Sequence, residues 1–147
     1  MRLPVVAALA IVALAVALAA AGCGTSNGPT DKQQIETALL TYYKAFGSGD
    51  SGGACHELAS GTKAGLEKAG SGKDCTEILD AARKRPDYAA IASKLQNARV
   101  TNITVARDKA SAAVLIPGVR KNGALGARTT VPLIKEHGAW KIASFSG

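Results

Sequence analysis

Aromatic side chains and histidines are scarce in this chain. Its 147 residues include one Trp, three Tyr, two Phe and two His. Proteins that bind single strands stack the bases on aromatic side chains, and the chain has no known nucleic-acid-binding motif, so we expect no nucleic acid partner. His56 and His137 are the only imidazole groups. They offer little for a metal centre, and we expect no cofactor and no metal.

Long apolar runs are also lacking, apart from one at the beginning of the chain. Residues 3–21 are apolar, with one Pro, and follow the basic residue Arg2. A short basic start, an apolar stretch and a small-residue cleavage site are typical of a secretory signal. A retained membrane-spanning helix, which needs about 20 residues, is one alternative, but no cluster of Lys or Arg follows the run. An ordinary signal peptide is the other.

The apolar run ends in Leu18-Ala19-Ala20-Ala21-Gly22-Cys23. This segment resembles the lipobox of bacterial lipoproteins, although Ala20 stands where that box usually has Leu. The resemblance implies that the thiol of Cys23 receives a diacylglyceryl group and that a peptidase cuts before it. We therefore expect a signal peptide at residues 1–22, lipid attachment at Cys23 and a flexible tether at residues 23–30. The protein would then be anchored in the cell membrane and face away from the cytoplasm.

Basic side chains outnumber acidic ones. The formal net charge is +7, and it falls to +6 once Arg2 leaves with the signal. The basic residues are distributed over predicted helices and turns rather than along one stripe, so we expect no specific polyanion site. Attraction of the whole domain to anionic lipids or wall polymers is the alternative.

Two cysteines remain when Cys23 is assigned to lipid. An even number of cysteines in an oxidising compartment predicts a disulfide, here between Cys55 and Cys75. It would close a loop of about 20 residues and stabilise the fold by about 3 kcal/mol. A metal site at Cys55, His56 and Cys75 is less favoured, because two of its ligands are adjacent and paired zinc ligands are normally separated by two or more residues.

The first half of the mature chain has helical periodicity. Thr30 and Gln33 form a predicted capping box, and Gly47 is expected to end the first helix. Between them lies an apolar stripe at spacings of three and four: Ile35, Ala38, Leu39, Tyr42, Tyr43 and Phe46. Shorter helices are predicted at 51–59, at 62–69 and from Asp74 or Thr76 to Arg85, with Pro86 as the limit; residues 88–96 remain ambiguous.

From Ala98 onwards the apolar period changes to two, as in Thr101, Ile103 and Val105. Further strands are predicted at 110–116, 127–135 and 139–145, with Pro117-Gly118 ending the second. Pro132 has no N–H, so it is expected at an edge, a bulge or a strand margin. Short links between the strands predict an antiparallel meander. Helices followed by a sheet indicate an α+β fold, with the helices packed on one face of a sheet of four or more strands.

This order of parts resembles the nuclear transport factor 2-like (NTF2-like) superfamily. The residues that carry the resemblance are 42–46 (Tyr-Tyr-Lys-Ala-Phe), Gly49-Asp50 and the closing hairpin at 131–142 with its Trp-Lys-Ile ending. The resemblance covers nearly the whole domain at 31–147. It implies a cone in which helices cover a curved antiparallel sheet. The superfamily includes ketosteroid isomerases and dehydratases, whose carboxylates, Tyr or His lie in the open end of the cone.

Candidate proton-transfer groups are few and isolated. Asp87 and Tyr88 lie near the predicted helix-to-strand junction, Asp50 and Asp108 lie in turns, and none has a recognisable catalytic partner. We therefore favour a non-catalytic module that binds a small apolar ligand or an envelope protein. An isomerase or dehydratase and a structural accessory that forms homodimers are the alternatives. The residues expected around a pocket are Tyr42, Tyr43, Tyr88 and Trp140.

Residues 47–53 also match two catalytic patterns superficially. Gly49-x-Ser51-x-Gly53 fits the nucleophile elbow of hydrolases, and Gly47-x-Gly49-x-x-Gly52 fits the dinucleotide fingerprint. Both motifs must follow a strand, whereas a long helix precedes them here. We therefore expect neither serine hydrolysis nor dinucleotide binding.

Overall fold

The computed structural model describes residues 29–121 and 124–145. The predicted signal segment, Cys23 and most of the tether lie outside these residues. The described elements are α1 (Asp31–Ser48), α2 (Ser51–His56), α3 (Ser60–Ala69), α4 (Cys75–Arg83), α5 (Pro86–Leu95), β1 (Arg99–Ala106), β2 (Lys109–Lys121), β3 (Ala124–Glu136) and β4 (Ala139–Ile142). Five helices followed by four strands confirm the predicted α+β fold class.

Helix α1 begins at the predicted capping box. The Thr30 hydroxyl accepts from the Gln33 N–H at 3.3 Å, and the Gln33 side chain accepts from the Thr30 N–H at 2.8 Å. The predicted end at Gly47 is wrong, because the helix continues to Ser48. Gly49 adopts the left-handed conformation with φ of 95° and ends the helix there, a conformation that glycine reaches without steric cost.

Two helices differ from their predicted limits for identifiable reasons. The second helix ends at His56 rather than at residue 59, because residues 57–59 pair with β4: the Ile142 N–H donates to Glu57 and the Ala59 N–H donates to Ile142, both at 2.9 Å. Pro86 begins helix α5 instead of only ending the one before. Proline suits the first helical position, where the missing N–H has no partner in the helix anyway.

The four strands form one antiparallel sheet in the order β1-β2-β3-β4, which confirms the predicted meander. Strand β2 continues beyond Pro117-Gly118 to Lys121, with an irregular register between Ile116 and Arg120, so the predicted end of this strand is wrong. Pro132 lies inside the central strand β3 and pairs with Ser111 of β2, so the predicted edge, bulge or strand margin is wrong, and the proline is tolerated because it lies just beyond the last β3–β4 pair. Its carbonyl accepts from the Ala143 N–H just beyond β4, and no N–H is needed from it there.

A bulge in β1 changes which face its residues occupy. Thr101 pairs with Ala113 and Thr104 pairs with Ser111, so the first strand has one extra residue between them. Asn102 there has φ of 51°. As a result Thr101 is exposed on the outer face, whereas Ile103 and Val105 pack against the core. The prediction that these three share one face is therefore wrong.

The core lies between the helices and one face of the sheet. Helix α1 contributes Ile35, Leu39, Tyr42 and Tyr43, and the strands contribute Ala112, Val114, Val131, Leu133, Trp140 and Ile142. The alternate strand residues point to the opposite, outer face, as the twofold period of a strand requires. None of the helices in the described ranges has the length and apolarity required to cross a bilayer.

Covalent and polar contacts tie α2 to α4. Cys55 and Cys75 form the predicted disulfide, with their Cα atoms 6.1 Å apart. The Ser51 hydroxyl donates to Asp80 at 2.6 Å, and Arg83 donates to the Gly49 carbonyl at 2.7 Å. Each contact joins residues distant in sequence, so together they fix these short helices on the end of α1.

Candidate functional site

A groove of about 350 Å³ runs between α1 and β4. One wall is a stripe of α1 at helical spacing, formed by Gln34, Thr37, Ala38 and Thr41. The other wall is residues 138–141, and the end of α2 closes the groove with His56 and Glu57. This volume lies at the lower end of the range typical of ligand pockets.

Asp31 anchors one end of this groove by joining α1 to the last hairpin. One oxygen of its carboxylate accepts from the Lys135 ammonium at 2.7 Å and from the Trp140 indole N–H at 2.9 Å. The Lys135 ammonium also lies 5.5 Å from the centre of the Trp140 ring. The hydrogen bond from Lys135, and next that from Trp140, lower the pKa of Asp31. Trp140 is thereby fixed in orientation and is 2% exposed.

This pKa shift predicts a pH-dependent contribution of Asp31. A carboxyl group whose pKa is lower in the folded state stabilises the fold above its unfolded pKa, and the contribution is lost as pH falls through the folded pKa. Asp31→Asn should therefore lower the urea midpoint at about pH 7, and the difference from wild type should shrink towards about pH 3. Lys135→Gln should show the same trend. Equal midpoints for wild type and Asp31→Asn at about pH 7 would contradict this role.

Charged residues meet at the other end of the groove. The Lys141 ammonium donates to the His56 carbonyl at 2.7 Å and lies 3.9 Å from the Glu57 carboxylate. Glu57 also lies 3.1 Å from the His56 ring nitrogen Nδ1. Only 14% of the Glu57 side chain and 15% of that of Lys141 are exposed. These two charges are paired at the groove wall, while the His56 imidazole projects into solvent.

A second hollow, of about 400 Å³, adjoins the first and shares His56, Ala139 and Lys141 with it. It also includes Lys63, Glu136 and His137, so both histidines of the chain border it. Glu136 accepts from the Ser60 N–H at 3.1 Å and from the Ser60 hydroxyl at 2.9 Å. The backbone bond from Ser60, followed by the hydroxyl bond, lowers the pKa of Glu136. This carboxylate therefore stays ionised at the N-terminus of α3.

The four predicted pocket residues do not line one pocket. Trp140 lines the groove, but Tyr42 and Tyr43 do not, and they are buried in the core at 6% and 8% exposure. Tyr42 stacks on Phe46 and Phe145 at centroid distances of 6.1 and 5.1 Å. Burial raises the pKa of both tyrosines, that of Tyr43 to about 12, which keeps their hydroxyls protonated at neutral pH.

Tyr88 lies on the other side of this aromatic cluster. Its hydroxyl donates to the Phe46 carbonyl, and its ring meets that of Phe46 edge-on at 5.1 Å. The guanidinium of Arg83 lies 6.0 Å from the centre of the Tyr88 ring. Tyr88 thus joins α5 to the end of α1. Tyr42, Phe46, Tyr88 and Phe145 thus form one aromatic cluster on the helix-facing side of the sheet.

The candidate acids and bases are on the surface. Asp87 is 69% exposed and forms two hydrogen bonds with Arg85, both at 3.1 Å, and this pairing lowers its pKa. Asp50 and Asp108 are exposed as well. Within residues 29–121 and 124–145, every carboxyl group with a clearly displaced pKa is displaced downwards. General acid–base chemistry at neutral pH usually depends on the opposite shift.

Ser51 is not arranged as a nucleophile. It is 4% exposed, and its hydroxyl donates to Asp80 rather than to a histidine. Neither hollow at the groove is lined by Ser51. Activation of a serine requires a base positioned to accept its proton, and Asp80 is itself held by Arg83 at 3.2 Å. The Gly-Asp-Ser-Gly-Gly segment therefore serves as a helix start, with the Asp50 carboxylate accepting from the Gly53 N–H.

The described ranges contain no set of side chains that could bind a metal ion. No group of three His, Cys, Asp or Glu side chains lies close enough together there to hold an ion. Cys55 and Cys75 are joined as a disulfide, which removes the thiolates that the alternative site at Cys55, His56 and Cys75 requires.

Comparison with solved structures shows the fold. A crystal structure from Campylobacter jejuni, assigned as an NTF2-like transpeptidase, is similar with a TM-score of 0.50 and 20% identity, over 74% of this chain and 96% of that one. The fold is therefore the NTF2-like α+β cone. No protein-family model and no curated protein matches the chain.

Two further structures are less similar. An NTF2-like protein of unknown function from Shewanella oneidensis MR-1 has a TM-score of 0.48 at 17% identity, over 78% of this chain and 95% of its own. A protein from Shewanella frigidimarina NCIMB 400 assigned as a ketosteroid isomerase has a TM-score of 0.45 at 20% identity, over 75% and 90%.

Proposed function

We propose that this chain is a lipoprotein of the bacterial cell envelope whose domain binds an extended segment of an envelope protein without catalysis. Residues 1–22 export it, and a lipid on Cys23 anchors it to the extracytoplasmic face of the cell membrane. The apolar leader and the small residues before Cys23 support this location. The Cys55–Cys75 disulfide supports it independently, because disulfides persist in oxidising compartments.

The edge of β4 beside the groove carries the binding proposal. Main-chain groups alternate between the two sides of a strand. The N–H and carbonyl of Ile142 are occupied by residues 57 and 59, so those of Trp140, two residues earlier, face the same edge at the groove. An extended segment can pair with an open strand edge and place side chains in an adjacent groove. The α1 stripe offers Gln34, Thr37 and Thr41 to such a segment.

A binding role is also supported because no carboxyl group among the described residues has a clearly raised pKa. The isomerase alternative needs a carboxylate held close to a bound substrate. Asp87, the best placed candidate in the sequence, is exposed and paired with Arg85. The aromatic cluster of Tyr42, Phe46 and Phe145 occupies part of the space under the helices, which favours binding at the groove over binding inside the cone.

A crosslinking experiment in native membranes tests both parts of the proposal. A photoreactive phenylalanine at Thr37, on the groove wall, should give one discrete adduct with an envelope protein. Thr41→Arg should abolish the adduct by filling the groove. Cys23→Ala should remove the protein from the detergent phase, prevent palmitate labelling and abolish the adduct, because the domain would no longer be held beside its partner.

Thr76 provides the matched control for this experiment, since it is a threonine exposed on α4. The photoreactive residue at Thr76 should give no discrete adduct. Equal adducts from both positions would contradict a groove site, and an adduct between two copies would make the partner a second copy of this chain. A small apolar molecule retained in native mass spectrometry would contradict the peptide segment, and unchanged partitioning of Cys23→Ala would contradict the anchor.

A further inference from the structure

The excess positive charge of the domain is confined to its sheet. Residues 31–98 carry nine basic and nine acidic side chains, so the helical half is neutral. Residues 99–142 carry eight basic and two acidic side chains, which accounts for the whole formal charge of +6. The basic side chains are divided almost equally between the two halves, as expected from the sequence, and the segregation of net charge arises because nine acidic side chains precede residue 99 and only two follow it.

Pairing between the strands places several of these cations on the outer face. Arg99 and Arg128 both pair with Leu115, so the three side chains form one row across β1, β2 and β3. Lys109 belongs to a second row, which continues through Ile134 to Lys141. Six residues of β2 separate the two rows, or about 20 Å. The two rows between them hold small or hydroxyl side chains: Thr101, Ala113, Thr130, Thr104, Ser111 and Pro132.

Several of the sheet cations have no acidic partner. Arg99, Arg107, Lys109 and Arg128 are exposed, and none of them has an ion pair among the residues that the structure describes. On the helical side Arg83 and Arg85 pair with aspartates, whereas Lys68 and Lys84 likewise have no ion pair among the described residues. Lys135 and Lys141 are held by Asp31 and Glu57. Four exposed cations are thus available to an external anion, and no acidic side chain occupies the four rows.

The path of the chain brings this face close to the proposed anchor. Pro29 lines the same groove as Gly138 and Lys141, and its carbonyl accepts from the Gln34 side chain at 2.9 Å. Six residue steps separate Cys23 from Pro29, which span at most about 20 Å. A lipid on Cys23 would therefore hold the β3–β4 hairpin, and the sheet that ends there, near the membrane surface.

We propose that the outer face of the sheet, with Arg99, Lys109 and Arg128 on its strands and Arg107 in the adjoining β1–β2 turn, docks on the anionic headgroups of the membrane. The inference rests on the proposed function for its choice of a membrane as the partner. Guanidinium groups bind phosphate oxygens through paired hydrogen bonds. The small side chains between the cationic rows let the backbone approach the headgroups closely. The lipid on Cys23 and this face then orient the domain with its helices directed away from the membrane.

Vesicle sedimentation of residues 23–147 carrying Cys23→Ser tests the electrostatic contact without the lipid. This chain should bind phosphatidylcholine vesicles containing about a third phosphatidylglycerol, and not phosphatidylcholine alone. Binding should weaken steeply with added salt. Each cation near an anionic surface is worth about fivefold in affinity, so Arg99→Gln/Arg128→Gln should weaken binding about 25-fold. Lys68→Gln/Lys84→Gln removes the same charge from exposed helical positions and should change binding less than about twofold.

Several results would overturn the proposal. Equal losses from the two double variants would show attraction by net charge alone, and failure to bind anionic vesicles would exclude the contact. Tighter binding to inorganic polyphosphate than to vesicles, at equal phosphate concentration, would assign the face to a soluble polymer. If Arg99→Gln/Arg128→Gln lowers the Tm, its loss of binding could reflect unfolding. In that case Arg107→Gln/Lys109→Gln serves as the second variant and must show the same loss of binding. The Cys23→Ser chain used for sedimentation carries no lipid. The absence of a lipid on Cys23 in cells would therefore contradict the proposed anchor without changing the vesicle result.

Discussion

Leu133→Ala is expected to lower the free energy of unfolding by about 2–5 kcal/mol. Leu133 lies in a central strand, pairs with Ala110 and Ile142, and is 1% exposed within the core cluster. Shortening it removes apolar contacts and leaves a cavity, because the neighbouring strands and α1 hold one another in place. Urea unfolding followed by circular dichroism measures the change.

The same substitution on the outer face provides the control. Leu115 is half-buried in β2, on the side of the sheet that no described helix covers. Leu115→Ala should cost less than about 1 kcal/mol, the range of substitutions outside the core. Similar losses for Leu133→Ala and Leu115→Ala would mean that the outer face is also covered, and would contradict the one-sided arrangement of this fold.

Removing the disulfide has the second large expected effect. Cys55→Ala/Cys75→Ala should lower the free energy of unfolding by about 3 kcal/mol, because the closed loop of about 20 residues no longer restricts the unfolded chain. For a domain of this size the Tm should fall by about 10 °C. Thermal unfolding of the oxidised wild type and the double variant measures the difference.

Reduction of the wild-type protein separates the covalent bond from the packing of the sulfur atoms. Dithiothreitol should lower the Tm of wild type to nearly that of Cys55→Ala/Cys75→Ala and leave the double variant unchanged. A Tm of wild type that does not respond to complete reduction, confirmed by thiol counting, would contradict a stabilising role for the Cys55–Cys75 bond.

Most of the fold could be predicted because its signals are local. The capping box at Thr30, the stripe that begins at Ile35 and the hairpin turn at residues 137–138 each depend on neighbouring residues. The predicted ends of helices and strands were wrong where contacts with a distant segment determined them. The α2 helix stops at His56 because residues 57–59 pair with β4, and no local pattern in 51–59 contains that information.

The groove could not be predicted for the same reason. Its polar ends join Asp31 to Trp140 and Lys141 to His56, which lie 109 and 85 positions apart. Only the tertiary fold brings these pairs together. The tyrosines expected at a pocket fill the core instead, because the helical periodicity that marks Tyr42 and Tyr43 marks burial without distinguishing a cavity wall from a packed interior.

The charged face of the sheet was accessible from the sequence. Counting acidic and basic side chains separately before and after residue 98 distinguishes a neutral half from one with an excess of six positive charges. The boundary between the two halves coincides with the predicted change from helices to strands. What the sequence could not supply was the bulge at Asn102 and the register that aligns Arg99 with Arg128 across β2.

Residues 57–59 and β4 impose an order on folding. The bonds from Ile142 to Glu57 and from Ala59 to Ile142 form only after almost the entire chain has emerged from the ribosome or from a translocation channel. Such distant contacts slow folding, because a long loop must close first. Cys55 and Cys75 lie well ahead of β4 and can be oxidised earlier. The covalent link can therefore form within the helical part of the chain before β4 is available to complete the sheet.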